Sequence, residues 1–379
     1  MTEHRTTTEP GTAHDITPNS FDGTDSDRIQ AAIEAATGTT NRVVVPARNA
    51  NGTNVWLLDR AILLPSDMTL VLDDCTIQLA DTCIDNIIRS DNVGEGGTSV
   101  AWNHDIRIIG RGNAVLRGAA NPRSTGECKT LSLTSDFDSP TGRGKETYGT
   151  DAGRDGVAQQ GDWRNHGILM AHVDGFELTD VTISNAHCWA VTHERVRNAR
   201  LARIRIDNPP RITVDGVERY VANRDGINLR QGCKHFRIDD VSGESGDDFI
   251  AMTLLPASRL GDGEDEGGRL SAATATDPGY TPGDDDIEHV TITNVDCTTK
   301  NHGIAMRTID QAKIRDVRVD GLITRGNPQV PSHQTAVLFG GRGYGAPSPA
   351  GAISDVHIMN MIGDNRSALI HVEALISDC

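Results

Sequence analysis

Residues 223–252 read NRDGINLRQGCKHFRIDDVSGESGDDFIAM and contain both the strand pattern and the acidic residues around which the chain is organised. In the middle of this stretch, residues 236–238 (Phe-Arg-Ile) alternate apolar and polar side chains, as expected of a short strand. Asp225 and the pair Asp247 and Asp248 each adjoin a glycine at the edge of an apolar segment. Asp225 and Asp247 are 22 residues apart (247 minus 225). This interval is close to one turn of a coiled sheet, so we expect the two acidic clusters to stack on one face.

The same pattern of apolar, any, apolar, accompanied by Asp, Asn or Gly, recurs along the chain. It occurs at residues 70–72, 181–183, 204–206, 236–238, 290–292, 317–319 and 356–358. From residue 181 onward the starts are separated by 23, 32, 54, 27 and 39 residues, the differences between successive starts. Units near 23 to 27 residues with insertions are typical of parallel coils. An antiparallel sandwich would show hairpin turns and no recurring unit. The sequence therefore predicts an all-β fold, a right-handed, single-stranded parallel β-helix.

The domain organisation follows from the segments outside this repeat. Residues 25–36, DSDRIQAAIEAA, begin with acidic capping residues and place apolar side chains on one face, which predicts an N-terminal capping helix over the coil. Residues 1–20 are polar and patternless and are predicted to form a flexible arm. Residues 21–379 then form one β-helix domain, with loop excursions at 121–162, 254–286 and 325–350.

The composition excludes several classes of function. The net charge of −17 argues against nucleic acid or an anionic membrane as a partner. No apolar run approaches the roughly 18 residues that span a bilayer. The first residues lack the apolar core of a secretory signal, so we expect a cytoplasmic protein, or a secreted one if a signal has been removed. The sequence does not determine the oligomeric state, although the long lateral excursions could pair copies of the chain into a homo-oligomer.

The seven cysteines contain no CxxC pair and are odd in number, which argues against a zinc site and against a full disulfide framework. Cys75, Cys188 and Cys297 end strand-like segments, so we expect them to be small buried side chains. The acidic excursion 254–286 lacks the alternating ligands and the final glutamate of a calcium loop. We therefore predict a solvated surface loop there.

Three aspartates in one groove suit acid and base chemistry. Crowded carboxyl groups cannot all ionise at low cost, so one of them retains a proton at neutral pH. A protonated carboxyl can donate to a leaving oxygen while an ionised one activates water, and this combination hydrolyses glycosidic bonds. Each Asp-Gly pair alone is also typical of an ordinary turn. The prediction therefore depends on the three aspartates together.

The segment from residue 166 to residue 306 resembles the pectin-degrading glycoside hydrolases of family 28, the polygalacturonases and their relatives. Their motifs Asn-x-Asp-Gly and Gly-Asp-Asp are matched by residues 223–226 and 246–248, and Gly-His-Gly is matched with Asn301 in place of its first glycine. The upstream phrase at residues 185–206 is also similar, with Trp189 and His193 in corresponding places. These enzymes are parallel β-helices, which agrees with the fold predicted from the repeat.

The resemblance implies a role for each matched residue. Asp247 would be the general acid that protonates the departing sugar oxygen, and Asp225 and Asp248 would position and deprotonate water on the opposite face. His302 would border the same site and support the acid or the substrate. Attack by water in a single displacement inverts the anomeric carbon. The resemblance implies no cofactor and no metal.

Other residues of the segment are candidates for substrate binding. They are Asn223, Arg224, His193, Trp189, Arg307 and Tyr344. Family members that act on galacturonate carry an Arg-x-Lys pair one coil after the histidine. The corresponding segment here, residues 335–339, contains no basic residue. We therefore expect an exo-acting enzyme on short oligosaccharides, with galacturonate in doubt and neutral or branched sugars as candidates.

Two other functions fit the same fold. In a calcium-dependent polysaccharide lyase the clustered aspartates would hold the metal, and Arg224 or Arg307 would abstract a proton beside a uronate. A non-catalytic β-helix could instead bind glycans, with stacking side chains exposed along the coil. Aromatic residues make up only 4% of the chain, which argues against this last interpretation.

Overall fold

The chain winds into successive coils whose strands pair in parallel with those of the next coil. The computed structural model describes residues 15–83, 85–93, 101–120, 166–214, 216–220, 224–254, 282–308, 312–328, 334–340, 348–374, 376–377 and 379. These residues form a nearly all-β structure with one α-helix near the N-terminus. The predicted parallel β-helix with a capping helix is confirmed.

Each coil contributes strands to three faces. Face 1 contains β1 (Arg42–Val45), β4 (Thr69–Asp73), β7 (Asn103–Arg111) and β22 (Ile376–Ser377). Face 2 contains β2 (Val55–Leu58), β5 (Thr76–Leu79) and β8 (Val115–Arg117). Face 3 contains β3 (Ile62–Leu64), β6 (Ile88–Ser90), β13 (Ile227–Leu229), β15 (Ile250–Leu254), β17 (His302–Thr308), β19 (Thr335–Phe339) and β21 (Ala368–Val372).

Longer strands bend from one face onto the next. β9 (Ile168–Ser184) and β10 (Val191–Asn208) run across faces 3, 1 and 2. Four others run across faces 1 and 2, namely β14 (Lys234–Ser245), β16 (Ile287–Thr299), β18 (Ile314–Gly326) and β20 (Ile353–Asp364). An antiparallel hairpin of β11 (Arg211–Val214) and β12 (Val217–Tyr220) projects between β10 and β13.

The bend between faces 1 and 2 occurs at one residue per coil with a left-handed backbone. In β14, β16 and β18 this residue is Asp240, Asn294 and Gly321, with φ angles of 54°, 54° and 80°. Glycine adopts this conformation at no steric cost, and Asp and Asn tolerate it better than other residues. The requirement explains why Asp, Asn and Gly accompany the repeated apolar motif in the sequence.

The interior of the coil is one continuous apolar core. Inward side chains of each face, such as Ile227, Ile250 and Ile304 on face 3, stack on their counterparts in the next coil and are fully buried. Cys75, Cys188 and Cys297 are buried, as predicted. Because strands pair only with neighbouring coils, the core fixes the register between them.

The helix α1 (Asp25–Ala36) closes the first coil. Ile29, Ala32, Ile33 and Ala36 are buried on one side, and Thr24 forms a capping box with Asp27. The helix also satisfies donors of the exposed strand edge, since the Asp25 carboxylate accepts from the Leu57 N–H at 2.8 Å and the Gln30 side-chain oxygen accepts from the Leu63 N–H at 3.0 Å. Capping an open edge in this way prevents pairing with another chain. No helix in the described ranges is long and apolar enough to cross a membrane.

The structure corrects two boundary predictions. Residues 15–20 belong to the folded domain rather than to a flexible arm, because the Val44 N–H donates to the Ile16 carbonyl at 2.9 Å and Arg42 pairs with Asp15 at 2.8 Å. The predicted excursion 325–350 contains the core strand β19, in which Thr335 lies opposite His302. Residues 1–14, the excursion 121–162 and nearly all of the excursion 254–286 lie outside the described residues.

The repeat spacing also needs one correction. Ile204 lies opposite Val241, and Ala199 is the residue opposite Phe236. The interval of 32 residues from 204 to 236 therefore joins a motif of face 2 to a motif of face 1. The two faces have the same alternation, so the pattern alone cannot distinguish them.

Candidate active site

The predicted acidic residues meet at the start of face 3. On face 3, an isoleucine or valine of each coil is aligned with its counterpart in the next coil, for example Ile227 with Ile250. The residues that lie two positions before these aligned residues form a row, which we call the site row. Backbone bonds tie its members together: the Gly226 N–H donates to the Asp248 carbonyl at 2.9 Å, and the Phe249 N–H donates to the His302 carbonyl at 2.8 Å. The site row consists of His166, Trp189, Asp225, Asp248, His302 and Thr335.

The glycines of the Asp-Gly and His-Gly motifs permit this stacking. A Cβ atom on Gly226 would lie 2.4 Å from the Phe249 carbonyl oxygen of the next coil, and one on Gly303 would lie 2.7 Å from that of Ala336. Real Cβ atoms do not approach so closely, so only glycine fits between the coils. Close packing between the backbones of neighbouring coils therefore explains the glycines of these motifs, independently of any catalytic role.

Asp247 lies immediately before the site row, at the corner between faces 2 and 3. The Asn301 side-chain amide donates to its carboxylate, and the Ser245 and Thr299 hydroxyls donate to its carbonyl oxygen at 2.9 Å and 2.5 Å. Lys300 contributes a nearby positive charge. Asp247 is half-buried, whereas Asp225 and Asp248 are 6% and 3% exposed. It is therefore the most accessible of the three aspartates.

Asp248 is held by an arginine from the next coil. Arg307, in β17, donates through Nη1 to Asp248 Oδ2 in a buried ion pair. Asp248 Oδ1 is also buried and accepts no hydrogen bond from the described residues. A buried carboxylate oxygen without a donor favours a water molecule or a substrate hydroxyl at that position.

His302 follows in the site row. Its Nδ1 lies 2.6 Å from the Thr335 hydroxyl oxygen, and the side chain is 8% exposed. Thr335 occupies the position where the resemblance led us to look for a basic residue. The strand β19, with the sequence TAVLF, contains no basic residue.

The electrostatics of the site raise the pKa of two carboxyl groups. Burial raises the pKa of Asp225 well above its ordinary value, and the charges of Asp247 and Asp248 raise it further. Burial also raises the pKa of Asp247, against the lowering effect of Lys300. Asp248 faces the guanidinium of Arg307 instead. The site thus contains two carboxyl groups whose pKa is raised by burial, beside a third that is paired with a guanidinium.

Three potential metal-ligand atoms lie together elsewhere on the surface. Within the described residues, a set of three such atoms within 4.8 Å of one another occurs at the exposed residues Asp67, His104 and Asp105. Asp225, Asp247 and Asp248 do not form such a set in this structure. A calcium site would draw several carboxylate oxygens around one ion.

The structure contradicts two of the predicted substrate-binding residues. Arg224 is buried with its guanidinium bonded to the Ala186 and Pro209 carbonyl oxygens at 3.0 Å and 2.6 Å, so it supports the corner of the coil. His193 is fully buried in the core between Phe176 and Phe236, and burial lowers its pKa to about 4. Its position in the strand sends it inward, away from any groove.

Trp189 and Arg307 do lie at the site, and two further candidates cannot be placed. Trp189 neighbours Asp225 in the site row, but its ring stacks on His166 at 4.7 Å and is only 5% exposed. Because His166 covers one face of the ring, that face of Trp189 cannot stack on a sugar. Asn223 and Tyr344 lie outside the described residues.

Several residues at the site were not predicted. Asn228 lies beside the Asp225 carboxyl, and the Arg230 guanidinium lies 5.2 Å from the centre of the Trp189 ring. His166 has no hydrogen-bond partner on either ring nitrogen within the described residues, and burial lowers its pKa to about 3. These residues can be recognised only by their positions relative to the strands of face 3. Those positions become known only when the pairing register between successive coils is known.

Comparison with known proteins supports the fold. No protein-family model matches the chain, and no curated protein matches its sequence. Among solved structures, a polygalacturonase from Erwinia carotovora ssp. carotovora matches with a TM-score of 0.52 at 13% identity, over 99% of this chain and 100% of that one. A family 28 exopolygalacturonase from Yersinia enterocolitica matches with a TM-score of 0.43 at 14% identity, over 95% and 78% of the two chains. The surface adhesin PfbA of Streptococcus pneumoniae matches with a TM-score of 0.45 at 11% identity, over 96% and 90%.

These likenesses define the class of fold. The chain is a parallel β-helix similar in fold to the Erwinia polygalacturonase. At such identities the fold alone is shared. The function therefore has to be argued from the side chains of the site row.

Proposed function

We propose that this protein is a glycoside hydrolase related to the polygalacturonases, which cleaves an O-glycosidic bond by single-displacement hydrolysis. The observation that carries the proposal is the stacking of Asp225, Asp248 and His302 in successive coils with Asp247 beside them. Residues far apart in sequence thus meet at one place and supply the types of side chain that acid and base catalysis requires.

The surroundings of each carboxyl group support its role. Asp247 is the general acid, because its pKa is raised by burial and it is the most accessible of the three. Asp248 is the base that accepts a proton from water, since it is paired with the Arg307 guanidinium and its Oδ1 accepts no bond from the described residues. Asp225, with its strongly raised pKa, positions the same water.

The reaction then balances in one step. Water held by Asp225 and Asp248 attacks the anomeric carbon and gives its proton to Asp248, while the bond to the leaving oxygen breaks and Asp247 protonates that oxygen. This geometry requires the acid and the base to be roughly 6.5 to 9.5 Å apart, and it inverts the anomeric centre. His302, with Thr335 at its Nδ1, orients the substrate beside Asp248.

The substrate follows from the charges around the site. The described basic residues near the aspartates already face carboxylates or an aromatic ring: Arg307 faces Asp248, Lys300 faces Asp247 and Arg230 faces Trp189. The next strand, β19, adds none. Within the part of the chain that the structure describes, no further basic side chain is in place at the aspartates to pair with an anionic sugar. We therefore propose a neutral sugar at the cleaved bond of a short oligosaccharide, attacked from the chain end.

The test is hydrolysis of a panel of neutral and acidic oligosaccharides by the native protein and by Asp247→Asn. If Asp247 is the acid, the variant loses several orders of magnitude in turnover and keeps the native unfolding transition. Asp240→Asn, an exposed residue at the bend of β14, is the matched control and should retain full activity. Equal turnover by the Asp247 variant would reject the assignment. An unsaturated product that absorbs in the ultraviolet, lost with a chelator, would indicate a lyase instead.

A further inference from the structure

A cavity lies outside the site row, where faces 2 and 3 meet beneath the β11–β12 hairpin. It has a volume of about 350 Å³, within the roughly 300 to 1,000 Å³ typical of small-molecule sites. The hairpin forms one wall, the outer side of β14 and β16 forms the floor, and the turn after β18 forms the other wall. The residues that line it are Pro209, Pro210, Arg211, Ile212, Thr213, Glu218, Glu244, Thr298, Asn327 and Pro328.

The polar groups of this cavity are fixed by one another. The Asn327 side-chain amide donates to the Glu244 carboxylate at 2.7 Å, and Arg211 pairs with Glu218 at 2.9 Å. Thr298 lies beside Glu244 on the adjacent strand in register. The lining thus presents hydrogen-bond acceptors and donors at set positions, together with the flat C–H surfaces of three prolines.

The charges of the lining select the kind of ligand. Two acidic residues of the lining, Glu218 and Glu244, face one guanidinium, Arg211. Just behind the lining, exposed Asp207 adds a negative charge beside Glu244 and buried Arg224 adds a positive one, so the acidic groups still outnumber the basic ones. An anion would be repelled by this balance. A neutral sugar ring fits it, because each hydroxyl can donate to a carboxylate and accept from an amide, a guanidinium or a threonine.

One layer of residues separates the cavity from the catalytic carboxyls. Glu244 precedes Asp247 by three residues, so the two lie within roughly 10 Å along the backbone. The Asn327 N–H donates to the Thr299 carbonyl at 2.8 Å, and the Thr299 hydroxyl donates to the carbonyl oxygens of Asp247 and His302 at 2.5 Å and 3.2 Å. The wall of the cavity is thus bonded through Thr299 to the backbone that carries Asp247.

We propose that this cavity is a subsite for one neutral sugar residue, a side branch of the glycan whose main chain lies over the site row. The branch crosses the corner at Asp247 and enters between the hairpin and Asn327. This assignment rests on the proposed hydrolase function for its substrate, but the binding itself requires no hydrolysis.

The experiment measures sugar binding by saturation-transfer difference NMR. Galactose, arabinose, xylose and rhamnose are the neutral probes, and galacturonate is the anionic one. Thr298→Leu fills the cavity, and Glu244→Gln keeps its shape but removes the charged acceptor. Thr291→Leu is the control, since Thr291 is an exposed residue on face 1 of the same strand.

We expect at least one neutral probe to bind the native protein and the Thr291 variant equally, and to lose at least fivefold in signal with Thr298→Leu and with Glu244→Gln. Galacturonate should show no signal that depends on Thr298. Absence of binding by every neutral probe, or binding unaffected by both cavity variants, would overturn the subsite. Because the readout is binding, a protein that hydrolyses nothing can still confirm the cavity, and an active hydrolase can still refute it.

Discussion

The ion pair between Arg307 and Asp248 gives the most quantitative prediction. Their side chains are 11% and 4% exposed, so Arg307→Gln leaves a carboxylate buried without its cation. Removing one partner of such a pair costs about 3 to 5 kcal/mol. The pair of Arg325 and Asp296 has the same chemistry at 50% and 51% exposure, and Arg325→Gln should cost about 0.2 to 1 kcal/mol. Urea unfolding of the two variants measures both values.

The same substitution predicts a dependence on pH. Arg307 lowers the pKa of Asp225 and Asp247, so its removal raises both further above their values in the unfolded chain. A carboxyl whose pKa is raised by folding contributes stability that is present at low pH and is lost as pH rises. The destabilisation by Arg307→Gln should therefore be larger at pH 8 than at pH 5.

A double variant separates charge from packing. Arg307→Met combined with Asp248→Asn removes both charges, and the double variant should regain stability relative to Arg307→Gln because no unpaired charge stays buried. Two results would refute the reasoning. One is a loss in Arg307→Gln no larger than in Arg325→Gln, and the other is a loss independent of pH.

Three further predictions address the coil, the core and the acid. Gly226→Ala should cost about 1 to 3 kcal/mol in unfolding free energy, because its Cβ would lie 2.4 Å from the Phe249 oxygen, whereas Gly283→Ala, with nothing within 4 Å, should cost little. Burial lowers the pKa of His193 from 6.5 to about 4, so the folded protein loses stability as pH falls below 6.5. His193→Leu should remove about 2 kcal/mol of the loss in unfolding free energy between pH 7 and pH 5, as measured by urea unfolding. Lys300 lowers the pKa of Asp247, so Lys300→Met should move the alkaline limb of the hydrolysis profile to higher pH; an unchanged limb would contradict Asp247 as the acid.

The sequence was sufficient to predict the fold and to predict that the three aspartates lie close together. The repeated apolar alternation predicted the parallel coil, and the interval between Asp225 and Asp247 predicted that the acids would stack. Both predictions depend on local sequence patterns that recur in successive coils. The glycines that follow Asp225 and His302 belong to these patterns, and the structure explains them because a Cβ atom at Gly226 or Gly303 would collide with the backbone of the next coil.

The sequence could not determine which way individual side chains point. His193 and Arg224 stand close to matched motifs, yet one enters the core and the other supports a corner. A shift of one residue reverses the side of a strand, and only the pairing of coils fixes that parity. For the same reason Ile204 was aligned with Phe236 instead of Val241, which is its true partner on face 2.

The central claim is that Asp247 and Asp248 act on opposite sides of one glycosidic bond. Proton NMR of the first-formed product, recorded before mutarotation on an oligosaccharide that the protein hydrolyses, tests it most directly. The account predicts that the anomeric configuration of the new reducing end is inverted relative to the substrate. A retained configuration would require a covalent intermediate on one of the carboxylates and would contradict the account.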